Sequence, residues 1–389
     1  MLDITHAAHL HLQKGADNFN QAGLAQGDIT AYYDSLDALK IVRGIQTHSR
    51  SEGIFWSSAF LRLQLLPKIR LTAGDSCTLM LNCRTLGTLT GSRSAVAAGR
   101  VPVETTACML AECWKPLGGI TDYTAVTFAS WVDNYYAFGS SLPNAVAIAE
   151  SFEDELFREW HLKIKPSSRS IIGPDPQAVD EVCAEKWPMH EEVDILRHLI
   201  TANCSPWPCF RRTQRKMWGA FWGNCIGKQA RSLSLHQKCR MLNRCVQPIL
   251  NFRNTRWPWS AAIADAQDKM QKCMLSQCIA LERWHSEPLD SYYKRRMHAI
   301  SNLAHQQGGW GTQHAIRACN WADHLQRPRN DKSLAAILFN FHDAEWLEER
   351  RQDPNIGGAL RPGTRAHSGF FHTRWDEALR KARTRLPQQ

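Results

Sequence analysis

The stretch AVTFASWVDNYYAF, residues 125–138, sets the reading of the chain. Two apolar runs flank Asp133-Asn134, a dipeptide that favours a tight turn. The spacing predicts a strand over 125–132, a turn at Asp133-Asn134 and a partner strand over 135–138. Downstream, residues 144–160 carry apolar positions at helical spacing, and Leu162 to Ile164 begins another strand. Upstream, Leu24 to Asp28 reads as a short strand, and helices are expected over 35–45, over 53–66 and from Ser92 onward. Lys68–Ala73 and Cys77–Cys83 alternate as two strands joined at Gly74-Asp75. The expected order is strand, helix, hairpin, helix, hairpin, helix, strand. It implies an α+β fold, an antiparallel sheet with helices on one face.

Charge divides the chain. Residues 1–180 hold 15 basic and 18 acidic side chains, whereas residues 181–389 hold 32 basic and 19 acidic. From Ile195 to Ala264 there are 12 lysines and arginines and no acidic residue. One sign over so long a stretch points to a polyanionic partner, against the plainer reading of a basic surface. The 13 cysteines form no CxxC pair, so buried thiols are expected rather than a zinc site. The start of the chain has no secretory pattern, and no apolar run is long enough to span a bilayer. An intracellular protein is expected, with no membrane partner. His6, His9 and His11 read as part of a frayed end.

Four motifs, in order, resemble those of reverse transcriptases of the non-LTR retrotransposon type. GDITAYYDSLDAL, residues 27–39, is similar to motif A. LGTLTGSRSAVA, residues 86–97, is similar to motif B, FASWVDNYY, residues 128–136, to motif C, and WHLKIKPSSRSII, residues 160–172, to motif D. HEEVDILRHLIT, residues 190–201, resembles the segment that opens the thumb, with Arg197 where a glycine is usual. The resemblance implies a right-hand polymerase palm followed by an all-helical thumb-like region. It divides the chain into 1–175 (a fingers remnant and palm), 176–265 (basic thumb-like helices), 266–351 (further helices) and 352–389 (a loose basic tail).

It also implies RNA-directed DNA synthesis with two Mg2+ ions, Mn2+ being a substitute, on an RNA template and DNA primer with dNTP substrates. Asp28, Asp133 and Asn134 would be catalytic, and Asp28, the Ile29 carbonyl and Asp133 would hold metal. Tyr33 falls at the sugar gate, Gly91 in the motif B turn, and Arg169 or Lys165 at the basic position of motif D. Arg211, Arg212, Arg215, Lys216, Lys228 and Arg231 would meet nucleic-acid phosphates. Motif C reads Val-Asp-Asn instead of two aspartates. Motif A lies 27 residues into the chain, so an N-terminally truncated enzyme without fingers is expected, its activity impaired by their lack and by the Val-Asp-Asn of motif C. Taken singly, Asp28 reads as a strand-end or capping residue, Asp133-Asn134 as an ordinary turn and Tyr33 as a core aromatic. The alternative function is a non-catalytic nucleic-acid-binding remnant of a mobile element. Within the cell, the nucleus is expected ahead of the cytoplasm.

Overall fold

In the computed structural model, the described residues are 2–17, 22–48, 69–73, 77–81, 93–118, 127–174, 185–227, 230, 232–254 and 260–325. They fall into two compact units. One comprises Asn18–Glu191, the other Met1–Asp17 with Glu192–Gln389. Gly91, Lys228 and Arg231, the helix expected over 53–66 and the tail from 352 lie outside the described residues.

The first unit is built on a four-stranded antiparallel sheet. Its strands are β1 (Gly23–Asp28), β4 (Phe128–Trp131), β5 (Asn134–Gly139) and β6 (Ser170–Ile172), in the order β4-β5-β1-β6. A separate hairpin pairs β2 (Ile69–Ala73) with β3 (Cys77–Leu81), as the alternation predicted. The helices are α1 (Leu2–Asp17), which belongs to the other unit, then α2 (Tyr32–Ser35), α3 (Ala38–His48), α4 (Arg93–Trp114) and α5 (Leu142–Trp160). Helix α5 lays Ala145, Ile148, Ala149, Phe152 and Leu156 against the sheet face that carries Ala25, Tyr135, Ala137 and Ile171. Its period-3.6 apolar stripe is what makes this face. Ser141 starts α5 by accepting from the Asn144 N–H at 3.3 Å, and His161 ends it in the left-handed conformation. The α+β class expected from the sequence is therefore the class of this unit.

Two details differ from expectation. The turn of the β4–β5 hairpin is Val132-Asp133, one residue early, with Val132 at φ 60°. The strand expected at 162–164 is reduced to a single bridge between Ile164 and Ile29, and the pairing with β1 is made by β6 instead. Pro166 explains the delay, since a residue without an N–H cannot continue a ladder.

The second unit contains a hairpin of β7 (Glu192–Ile195) and β8 (His198–Thr201), followed by helices. These are α6 (Trp207–Phe221), α7 (Leu235–Met241), α8 (Gln247–Asn254), α9 (Ala261–Cys278), α10 (Leu289–Gln306) and α11 (Trp310–Leu325). Wide π-turns at Trp222–Ile226 and Leu242–Val246 extend α6 and join α7 to α8. Met217, Phe221, Cys225, Leu242, Val246 and Leu250 line the core of this unit, whereas Leu233 is only half-buried. Helix α1 packs here, against β8, and not in the unit of the four-stranded sheet. His6, His9 and His11 are buried rather than frayed. His9 Nε2 meets His198 Nε2 at 3.0 Å, and the Trp321 indole donates to His6 Nδ1 at 2.8 Å.

Candidate active site and nucleic-acid interface

Motif A and motif C meet because β1 and β5 are neighbours. Asp28, the last residue of β1, pairs with Asn134, the first of β5. The Ile29 N–H donates to the Asp133 carbonyl at 2.8 Å, which brings the hairpin turn to the end of β1. The Asp28 and Asp133 carboxyls interact electrostatically. Burial and the Asp133 charge push the Asp28 carboxyl above its usual range, while Lys165 acts the other way. Asp28 Oδ1 is buried without a hydrogen-bond partner. Asn134 Nδ2 donates to Asp133 Oδ1 at 2.9 Å.

Nearby groups fix this geometry. The Asp28 N–H donates to Ser168 Oγ at 2.9 Å, and the Lys165 N–H to the Asp28 carbonyl at 2.9 Å. Motif D is thus tied to motif A through the backbone as well as through the Lys165 charge. Gly27 has no room for a side chain, since a Cβ there would lie 2.7 Å from the Tyr135 ring. Tyr33 is half-buried, and burial together with the Asp133 charge raises its phenol. It therefore stands in the same electrostatic neighbourhood as the carboxylates. Gly99 of α4 admits the Tyr32 and Tyr33 rings, whose carbons lie 3.0 and 3.4 Å from a notional Cβ.

The two basic candidates of motif D separate. Arg169 donates from Nε and Nη2 to Glu153, at 3.0 and 2.5 Å, and Glu153 also accepts the Tyr135 hydroxyl. Arg169 is therefore committed to a largely buried ion pair, which is costly to break. Lys165 is the one of the two whose charge reaches Asp28.

A cation would complete the aspartate pair. Two carboxylates so close repel each other, and one buried oxygen has no donor. The donors are hard oxygens, which suit Mg2+ or Mn2+ rather than zinc. Among the described residues, no group of three or more His, Cys, Asp or Glu is arranged to hold a metal ion. The arrangement offers two carboxylates, with Asn134 and the Ile29 carbonyl as neutral neighbours.

In the second unit, Arg211, Arg212, Arg215 and Lys216 are all exposed on α6. Their i, i+4 spacing puts them on one side, opposite Cys209, Thr213 and Met217. Trp222 is exposed and stacks on Trp218 at 6.0 Å. Two arginines missed by sequence reasoning join the patch. Arg253 of α8 is 6% exposed, donates to Thr213 Oγ1 at 3.3 Å and leaves its Nε without a partner. Arg197 sits in the β7–β8 turn at φ 66°, beside Leu196 at φ 51°. The charge of Arg253, with burial and Arg212, holds the Lys216 ammonium below its usual range, Asp194 opposing and Arg197 adding to the effect. Asp194 pairs with Arg212 at 2.6 Å. Six cations against one carboxylate leave an excess that favours an anion. Only the left-handed turn signal at Arg197 was available in the sequence. Arg253 depends on a contact forty residues away.

No known protein family matches the sequence, and no curated protein matches it. Among solved structures, the chain is similar to apo telomerase from Candida tropicalis, at 9% identity and a TM-score of 0.40, over 87% of this chain and 56% of that one. It is similar to Candida tropicalis telomerase in complex with a TWJ fragment of telomeric RNA, at 10% identity and a TM-score of 0.38, over 87% and 51%. For the corresponding Candida albicans complex the values are 8% and 0.33, over 100% and 55%. The chain spans about half the length of these structures.

Proposed function

We propose that this chain carries the palm of an RNA-directed DNA polymerase of the retrotransposon type, extending a DNA primer on an RNA template. The observation that carries the reading is the Asp28–Asp133 pair, two carboxylates from different motifs brought together at the ends of antiparallel strands, with one buried oxygen unpaired. Asp28 and Asp133 would hold Mg2+, with Asn134 fixing the rotamer of Asp133 through its 2.9 Å hydrogen bond. The bound ions would lower the cost of ionising the primer hydroxyl and of the charge that develops on the leaving pyrophosphate. Lys165 limits the negative charge at Asp28. Tyr33 presents a bulky ring next to Asp133, where a sugar 2′-hydroxyl would be refused. The cations of Arg197, Arg211, Arg212, Arg215, Lys216 and Arg253 would hold backbone phosphates without reading sequence. A nuclear site of action belongs to the same reading.

The test is Mg2+-dependent dNTP incorporation on a primed RNA template, with wild type beside Asp28→Ala and Asp133→Ala. Incorporation by wild type and a fall of at least about 100-fold in each variant, equivalent to roughly 2.7 kcal/mol, is expected. No incorporation by folded, primer-binding wild type, or equal incorporation by the variants, would overturn the reading.

A further inference from the structure

Opposite Asp28 the ladder between motif A and motif D breaks. β1 and β6 pair regularly from Leu24–Ile172 to Gln26–Ser170, and the two chains meet again at the Ile29–Ile164 bridge. Over that interval the motif A chain advances three residues, from Gln26 to Ile29, whereas the motif D chain uses six, from Ile164 to Ser170. The surplus forms the short 3-10 turn Pro166–Ser168. Pro166 has no N–H to give a ladder, so the chain leaves the sheet there. Asp28 faces this interruption.

The backbone groups of Asp28 still require partners. In an unbroken antiparallel pair, one opposing residue exchanges both hydrogen bonds. Here the two are divided. The Asp28 carbonyl accepts the Lys165 N–H at 2.9 Å. The Asp28 N–H donates to Ser168 Oγ at 2.9 Å, a side chain standing where a strand would present a carbonyl. That hydroxyl donates in turn to the Lys165 carbonyl at 2.6 Å, which also accepts the Ser168 N–H at 2.9 Å. Asp28, Ser168 and Lys165 thus close a ring of hydrogen bonds in which Ser168 Oγ is the side-chain member. On the other edge of β1, the Ile29 N–H donates to the Asp133 carbonyl at 2.8 Å. The end of motif A is therefore held from both sides, by backbone toward motif C and by a serine hydroxyl toward motif D.

We propose that Ser168 is a positioning residue, whose hydroxyl replaces a missing strand partner and holds the Asp28 backbone so that the Asp28 and Asp133 carboxylates can share a divalent cation. The proposal rests on the reading of those two aspartates as metal ligands. Ser168 acts through the backbone of Asp28 and not as a ligand. Alanine at this position removes the acceptor of the Asp28 N–H and one of the two donors to the Lys165 carbonyl, while the turn keeps its own backbone hydrogen bond. Threonine retains the hydroxyl.

Mn2+ binding to the full chain, measured by calorimetry, is the first readout, with Asp133→Ala marking the signal that belongs to the aspartate pair. Ser168→Ala should weaken that binding about fivefold, the equivalent of roughly one hydrogen bond, and Ser168→Thr should restore it. Ser151→Ala is the control, because it removes another hydroxyl of the same unit, the acceptor of the Trp114 indole N–H at 2.8 Å. It should leave Mn2+ affinity unchanged. Amide exchange in Ser168→Ala should quicken at Asp28 and stay unchanged at Ile29. In primer extension, Ser168→Ala should lower kcat about tenfold and change the KM for dNTP by less than about twofold. If Ser168→Ala does not melt as wild type does, Ser168→Cys, which has a weaker acceptor of similar size, takes its place. The proposal is overturned by wild-type Mn2+ affinity in Ser168→Ala, by an equal loss in Ser151→Ala, by no recovery in Ser168→Thr, or by Mn2+ binding that Asp133→Ala does not change. Wild type that binds Mn2+ but incorporates no dNTP overturns the polymerase reading alone, and the Mn2+ and exchange results still decide the role of Ser168.

Discussion

Asp28 combines three states that each cost free energy: partial burial, a like charge beside it and an oxygen with no donor. Its raised pKa means that the native state holds the Asp28 proton more tightly than the unfolded chain does. The stability associated with that proton is fully present below the unfolded value of 3.8 and is lost as pH rises through the folded value. The variant Asp133→Asn removes the like charge, so its melting temperature should exceed that of wild type at pH 7. The difference should vanish near pH 3, and Mg2+ should raise the melting temperature of wild type more than that of the variant. A variant no more stable than wild type at pH 7 would show that the two carboxylates do not repel. Val132, at φ 60° between Trp131 and Asp133, is a β-branched residue in a conformation that favours glycine, and it stands one residue from the carboxylate it aims.

Among the elements, the β7–β8 hairpin shows the same tension between stability and chemistry. Its two-residue turn places Leu196 and Arg197 in the left-handed region, where a glycine relieves strain. Arg197→Gly should stabilise the second unit by about 0.5–1 kcal/mol in denaturant melts. It should also reduce the salt slope of nucleic-acid binding by about 1, since one cation is gone. An unchanged slope would take Arg197 out of the interface. Helix α1 gives a pH effect of opposite sign to that of Asp28. Burial and the His9 charge lower His6 to about 3, and burial lowers His9 to about 4, both from 6.5. The unfolded chain therefore takes up protons first, and stability present above pH 6.5 is lost progressively toward pH 4. Melts of wild type should drop steeply over that window, and those of His6→Leu/His9→Leu more gently.

These elements also show what was legible in the sequence. Helix α5 and the β4–β5 hairpin were readable because period, cap and turn signals agree locally. The turn was misplaced by one residue because no propensity assigns a valine to φ 60°. The aspartate pair was readable through its motifs, whereas Arg169 and Lys165 could be told apart only once Glu153 was seen to hold the arginine. The place of α1 was not readable, because its partner His198 lies 189 residues along the chain.

At the scale of the molecule, the helical unit is discontinuous in sequence, with the sheet unit inserted after α1. Deleting residues 1–17 should therefore speed amide exchange in β7–β8 and the helices that follow while sparing β1, β5 and α5. Equal loss of protection in the sheet would contradict the two-unit division. The separation of His9 from His198 also has a consequence for biosynthesis. A ribosome adding roughly 5–20 residues per second exposes α1 for on the order of 10–40 s before β8 emerges. Throughout that wait, the face carrying Ala7, Ala8, Leu10 and Leu12 has no native surface to meet. The nascent chain thus carries an adhesive segment while the sheet unit is being made, and slower translation lengthens its exposure to chaperones and to neighbouring chains.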